Sequence, residues 1–232
     1  MTAPSRPSIT LPQGEVRGIR IHHPFPQPID AFLGVPYALC PTGDSRFRPP
    51  VKVPDSENII EASQYGYAAP GQTVVSGGFD LEQSEDCLTV NIFKPAGIEG
   101  NVPVAIYLHG GVFNQGAAAM HDTASMVGCS EAPFVAVSFG YRIGALGFLP
   151  SSVSKEEGLL NLGLRDQIHL FEWVRDNIER FGGDSGNVTL IGLSTGAHSV
   201  SVLVESFVLA IFCRVTLGSC NPDFVNRSAI TS

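Results

Sequence analysis

The chain has 232 residues, 44% of them hydrophobic and only 16% charged, and carries a formal net charge of -8. That balance describes a globular protein with a large core and excludes nucleic acid and anionic membrane as expected partners. Its five cysteines (Cys40, Cys87, Cys129, Cys213 and Cys220) are odd in number and lack C-x-x-C spacing, so neither a disulfide framework nor a metal site is indicated. The chain opens Met-Thr-Ala-Pro-Ser-Arg-Pro, without an apolar h-region, so no signal peptide is read and the cytoplasm is the expected compartment.

Short β-like runs at Gly14–Ile21 and Ala31–Tyr37 predict a hairpin or small antiparallel sheet, followed by a long loop ending at Arg46-Phe-Arg-Pro-Pro50. Residues 61–83 are rich in Gly, Ala and Ser and read as loop. Ser84–Phe93 alternates as a strand does, and Val102–Leu108 is a buried strand running into His109-Gly110-Gly111. A third apolar strand, Pro133–Ser138, precedes Tyr141–Leu149. Leu164, Ile168, Phe171, Val174, Ile178 and Phe181 then recur at spacings of three and four, which predicts an amphipathic helix. Arg165, Glu172, Arg175, Asp176, Glu179 and Arg180 form its outer face, Trp173 is read as core, and Gly182-Gly183 supplies the stop. Strand, helix and strand at this spacing make a βαβ crossover and hence a parallel sheet. No repeat or low-complexity linker interrupts the chain, so one domain is expected.

The next strand, Val188–Ile191, is β-branched and apolar and reads as fully buried. It breaks into Gly192-Leu193-Ser194-Thr195-Gly196, after which Ala197-His198-Ser199-Val200 can start a helix. Strand, tight turn and helix is the setting in which G-x-S-x-G becomes a nucleophile elbow. Gly192 and Gly196 are needed because any Cβ beside the strained serine would strike the adjoining strand or helix. Ser194 is therefore the candidate nucleophile. His109-Gly110-Gly111, directly after a buried strand, is the candidate oxyanion loop, its glycines leaving backbone N–H groups open to a substrate carbonyl.

Taken together, Ser84-Glu-Asp-Cys-Leu88, His109-Gly-Gly111, Tyr141-Arg142, Gly147-Phe148, Asn161-x-Gly163-x-x-Asp166-Gln167, Trp173-Val174, Asn177-Ile178, Phe181-Gly-Gly-Asp184 and the elbow resemble the type-B carboxylesterase/lipase family, which includes the cholinesterases. The resemblance spans about residues 10–204. It implies an α/β-hydrolase fold with a mostly parallel central sheet and a small N-terminal antiparallel sheet, cut off after the nucleophile elbow. It implies hydrolysis of a small-molecule carboxylic ester through an acyl-enzyme, with a Ser-Glu-His triad and no cofactor. Carried over by position, the oxyanion donors are the N–H groups of Gly111, Val112 and Thr195. Arg46 and Glu85 match a structural salt bridge. Cys87 matches a half-cystine whose partner position, near Ala68 or Ala69, is not cysteine here. Val112 stands where the family has a small residue, Thr195 replaces its usual alanine, Leu193 its glutamate and Gly140 its asparagine.

The triad acid and base are not found in this chain. After Ser194 come Glu205, Asp223 and one histidine, His198, which lies one helical turn past the serine and reads as a packing or capping residue. His109 reads as support for the oxyanion loop, and His22, His23, His121 and His169 show no partner in sequence. From Glu205 the chain no longer resembles the family, so residues 1–204 are expected as the N-terminal part of one hydrolase domain and 205–232 as a divergent tail. The nucleophile strand is then expected to be an apolar sheet edge. The sequence leaves two functions open: an ester hydrolase, or an inactive fragment or non-catalytic module of the same fold. Oligomeric state is not readable.

Overall fold

A computed structural model describes residues 6–72, 81–98, 100–203 and 215–219. Strands β1 (Ser8–Leu11) and β2 (Gly14–Arg17) form a hairpin whose first strand lies before the runs read from sequence. Strands β3 (Ile19–Ile21) and β4 (Ile29–Pro36), from the two runs expected to pair, do pair antiparallel but at the edge of the main sheet. The strand that completes the small sheet is β5 (Ile59–Glu61), which pairs with β2 in parallel. The small sheet is therefore mixed rather than antiparallel. Its third member comes from a segment for which no strand was read, because a pairing so distant in sequence leaves no local pattern to find.

The main sheet continues with β6 (Thr89–Pro95) and β7 (Val102–Leu108), the latter matching its predicted span at both ends. Ser84–Leu88 is not part of β6. Helix α1 (Thr123–Gly128), capped by Asp122 accepting from the Ser125 N–H at 3.0 Å, leads to β8 (Val135–Phe139). Two short helices, α2 (Gly144–Phe148) and α3 (Ser152–Glu156), precede the long α4 (Leu162–Asn177), which ends in a 3-10 turn over Ile178–Phe181. Gly182 closes that turn at φ +86° and β9 (Gly183–Gly192) follows at once. Helix α5 (Thr195–Leu203) and strand β10 (Val215–Ser219) complete the described chain.

The seven strands lie in the order β10-β9-β7-β8-β6-β4-β3. Strands β10, β9, β7 and β8 are parallel, and β6, β4 and β3 continue antiparallel, which is the expected hydrolase-type sheet with a mixed flank. Helix α4 makes the crossover from β8 past β7 to β9, as its spacing required. One correction concerns the edge. Strand β9 is not exposed along its outer side, because β10 pairs with it from Val188 to Gly192. Nor is β9 buried throughout: Val188 and Leu190 are fully buried while Thr189 and Ile191 are half-buried.

The core is split by the sheet. On one face Val90, Ile92, Val104, Ile106, Val135 and Val137 meet Leu170, Phe171 and Val174 of α4. On the other, Ala31, Phe93 and Ala136 meet Ala124 and Val127 of α1. Each fully buried aliphatic or aromatic side chain contributes about 1.5–3 kcal/mol relative to exposure. Trp173 is core, and its indole N–H donates to Gln13 Oε1 at 3.0 Å while Gln13 Nε2 donates to the Pro36 carbonyl at 2.7 Å, fastening the hairpin to α4 and β4. Arg46 and Glu85 form the expected two-point salt bridge, with Nη2 to Oε2 at 2.8 Å. Cys87 is a buried free thiol that burial pushes up to about 12, which makes it unreactive at neutral pH. Among the described residues no helix is long and apolar enough to cross a membrane.

Candidate active site

The site is assembled where β7 and β9 end side by side. Register pairs Leu108 with Gly192, so the loop leaving β7 and the turn leaving β9 begin at the same level of the sheet. The Leu193 N–H still reaches the Leu108 carbonyl at 3.2 Å. The chain then turns through Ser194 at φ +54°, a left-handed conformation that non-glycine residues adopt only where surroundings enforce it. Helix α5 starts immediately, with the Ser194 carbonyl accepting from Ala197 at 2.9 Å and His198 at 3.2 Å. Ser194 itself is exposed.

Both flanking glycines are sterically required. A Cβ on Gly192 would overlap the Ala197 nitrogen, and one on Gly196 would overlap the Leu108 carbonyl oxygen. Gly110 is packed as closely: a Cβ there would sit 2.5 Å from the Leu193 oxygen and 3.0 Å from Ser194 Cβ. Elbow and loop are thus in direct contact through Gly110.

The loop itself is tightly wound. Gly111 lies at φ +127° and its carbonyl accepts from the N–H groups of Asn114 and Gln115, each at 3.0 Å. Val112 and Phe113 both follow at φ +56°. The Phe113 carbonyl takes the Gly144 N–H at 2.6 Å, and its ring packs on Phe148 with centroids 4.6 Å apart. Among the described residues the N–H groups of Gly111, Val112 and Thr195 donate to no protein acceptor. Three unspent donors stand on the two segments that meet at Gly110, and the start of α5 adds the positive end of its dipole.

His109 anchors the loop and is not free to exchange protons with a substrate. It is buried, its ring stacks on Tyr141 at 4.3 Å, and the Tyr141 hydroxyl donates to its carbonyl at 2.8 Å. Its Nδ1 lies 2.9 Å from the Gly110 carbonyl, which can only accept, so Nδ1 carries the proton. Burial pushes its pKa down to about 4. The unfolded chain titrates this ring near 6.5, so it takes up a proton that the native state refuses. Stability is therefore expected to be full above about pH 6.5 and to fall by roughly 3 kcal/mol on the way to pH 4. Urea midpoints measured from pH 7 to 4.5 should show that decline, and His109→Gln should flatten it; an equal slope in both would refute the assignment.

The His198 side chain is exposed on α5 and makes no hydrogen bond among the described residues, so it is not the packing or capping residue that was expected. Glu205 and Asp223 lie outside the described residues. Two histidines without partners in sequence have them in space: His169 Nδ1 lies 3.6 Å from Glu172, and the His121 ring packs on Tyr107 at 4.7 Å.

One framework group escaped the sequence reading. Arg142 and Asp166, quoted there only as motif letters, form a buried two-point ion pair with Nη2 to Oδ1 at 2.6 Å and Nε to Oδ2 at 2.8 Å. The remaining guanidinium nitrogen donates to the carbonyls of Arg46 at 3.1 Å and Arg48 at 2.8 Å.

Residues 5–223 match the carboxylesterase family. The chain belongs to that family. The match runs beyond residue 204, where the motifs were expected to stop, and takes in β10. A secreted lipase of Gibberella zeae is 42% identical over 179 residues, covering 76% of this chain and 32% of the lipase. Acetylcholinesterase of Gallus gallus is 36% identical over 236 residues, covering 96% of this chain and 30% of that enzyme. A solved PNB esterase superposes with a TM-score of 0.79 at 34% identity, over 90% of this chain and 43% of the esterase. The chain thus spans about a third of the length of these curated carboxylesterase relatives.

Proposed function

We propose that this chain carries the nucleophile and oxyanion hole of a carboxylic ester hydrolase. Ser194 Oγ attacks the ester carbonyl carbon, and the N–H groups of Gly111, Val112 and Thr195 hold the oxyanion as the tetrahedral intermediate forms. The C–O bond to the alcohol then breaks, leaving an acyl-Ser194 that water hydrolyses. Each oxyanion donor lowers the barrier by about 3 kcal/mol. The observation that carries this reading is the pairing of a left-handed, exposed Ser194 between two sterically required glycines with three unspent N–H groups on the adjoining backbone. The substrate is a small-molecule ester, and no described residue is assigned as the triad acid or base. Cytoplasmic placement belongs to the same proposal, because Cys40, Cys87 and Cys129 are free thiols.

A second reading, a catalytically silent member of the family, is favoured by one observation: His109 is committed to the loop and His198 lies exposed on the helix behind the serine. A fluorophosphonate probe separates the two. Adduct formation seen by intact mass and abolished in Ser194→Ala is expected for the hydrolase. A wild-type chain that stays unlabelled would favour the silent form.

A further inference from the structure

Val112 is the part of the oxyanion loop that the loop's own packing does not call for. Phe113 is held by Phe148 and by the Gly144 N–H, and Gly111 wraps closely around Gln115. Val112 is 73% exposed and yet its backbone sits at φ +56°. A β-branched residue in that region is a true outlier, and glycine would adopt it without strain. Strain kept without packing in return directs attention to what the side chain faces.

Gly110, two residues earlier, touches Ser194. Successive Cα atoms are about 3.8 Å apart, so the Val112 Cα lies within roughly 8 Å of the Gly110 Cα. If the Val112 N–H holds a substrate oxygen at about 3 Å, the Cβ two bonds from that nitrogen lies within roughly 6 Å of the oxygen. That distance puts the isopropyl group within reach of the substituents on the carbonyl carbon.

We infer that Val112 is a size gate, admitting acyl groups that are unbranched at the carbon beside the carbonyl and rejecting those branched there. The inference rests on the proposed roles of Ser194 and the oxyanion loop. A linear acyl chain can rotate its single bulky substituent away from the loop. A quaternary carbon presents a methyl group in every rotamer, and a misfit of one methyl is worth about 10–200-fold in specificity.

The test uses two p-nitrophenyl ethyl phosphonates, one with n-butyl and one with tert-butyl on phosphorus. In either, Ser194 Oγ bonds to phosphorus, the bond to the nitrophenyl oxygen breaks, p-nitrophenolate leaves with the electron pair, and the serine proton passes to buffer. Rates are read from nitrophenolate release and intact mass, and normalised to each probe's reaction with hydroxide. The wild-type preference for n-butyl is expected to be at least about tenfold, to shrink severalfold in Val112→Ala, and to grow in Val112→Ile. The isoleucine variant keeps β-branching and strain while adding bulk, so it distinguishes a gate from mere loop stiffening. Labelling that vanishes in Ser194→Ala but shows one ratio in all three Val112 forms overturns the gate alone. No labelling of any form by either probe overturns the nucleophile assignment, and the gate with it.

Discussion

Asp166→Asn is expected to destabilise the fold by about 3–5 kcal/mol, the range for removing one partner of a buried ion pair. On a chain of this size that corresponds to a fall in Tm on the order of 10 °C. The carboxylate is fully buried and Arg142 is 2% exposed, so neither group can turn to water when the other is lost. Arg142 also donates to two carbonyls of the 46–48 loop, and its own N–H caps Asp166 at 3.1 Å, so the pair ties that loop, the end of β8 and α4 into one unit. Burial alone raises the Asp166 pKa, and the guanidinium opposes that rise. In Arg142→Met the opposition is gone, so the native state holds a proton that the unfolded chain releases. The stability deficit of that variant relative to wild type should therefore be smaller at pH 5 than at pH 7. The double variant Arg142→Met, Asp166→Leu should recover most of the loss, because the desolvation penalty of both charges disappears together. Urea midpoints decide it: an Asp166→Asn chain within about 1 kcal/mol of wild type would show the pair to be dispensable.

How far the fold was legible follows from where its information lies. Strand β7 and the stripe from Leu164 to Phe181 were read closely because period and burial coincide along one continuous segment. The elbow was legible because Gly192 and Gly196 have a steric reason that the bare sequence already implies. Pairings across long sequence distances were not. Nothing local in Ile59–Glu61 announces a parallel partner in β2, and β3 reads equally well as part of a hairpin or as an edge of the main sheet. Ser84–Leu88 misled for a related reason: Cys87 and Leu88 are buried as strand residues are, yet the chain joins the sheet only at Thr89. In the site, the identity of Val112 was visible but its left-handed backbone was not, since propensity argues against that conformation for valine. That conflict between local preference and observed geometry sits where function is proposed, as expected of strained positions.

Gly196→Ala is expected to reduce phosphonate labelling of Ser194 by at least about 100-fold, the scale of a displacement near 1 Å in a reacting geometry. The added methyl overlaps the Leu108 carbonyl oxygen and lies 2.9 Å from both the Leu108 carbonyl carbon and the His109 oxygen. All three are backbone atoms of the strand end from which the proposed oxyanion loop departs, so no side-chain rotation relieves the clash. The strain must be released by moving α5 away from β7, and Ser194 and the Thr195 N–H move with it. Overpacking of this kind also destabilises by about 1–3 kcal/mol, so labelling rate and urea midpoint should fall together. Gly186→Ala, on the same strand β9, provides the comparison. Its Cβ would meet only the end of the Asp184 side chain at 3.2 Å, and that carboxylate can shift slightly while keeping its hydrogen bond from the Gly186 N–H. Gly186→Ala should therefore keep both labelling and midpoint near wild type. A Gly196→Ala chain that labels as fast as Gly186→Ala would mean that the elbow tolerates a Cβ, and that the contact between α5 and β7 does not set the position of Ser194.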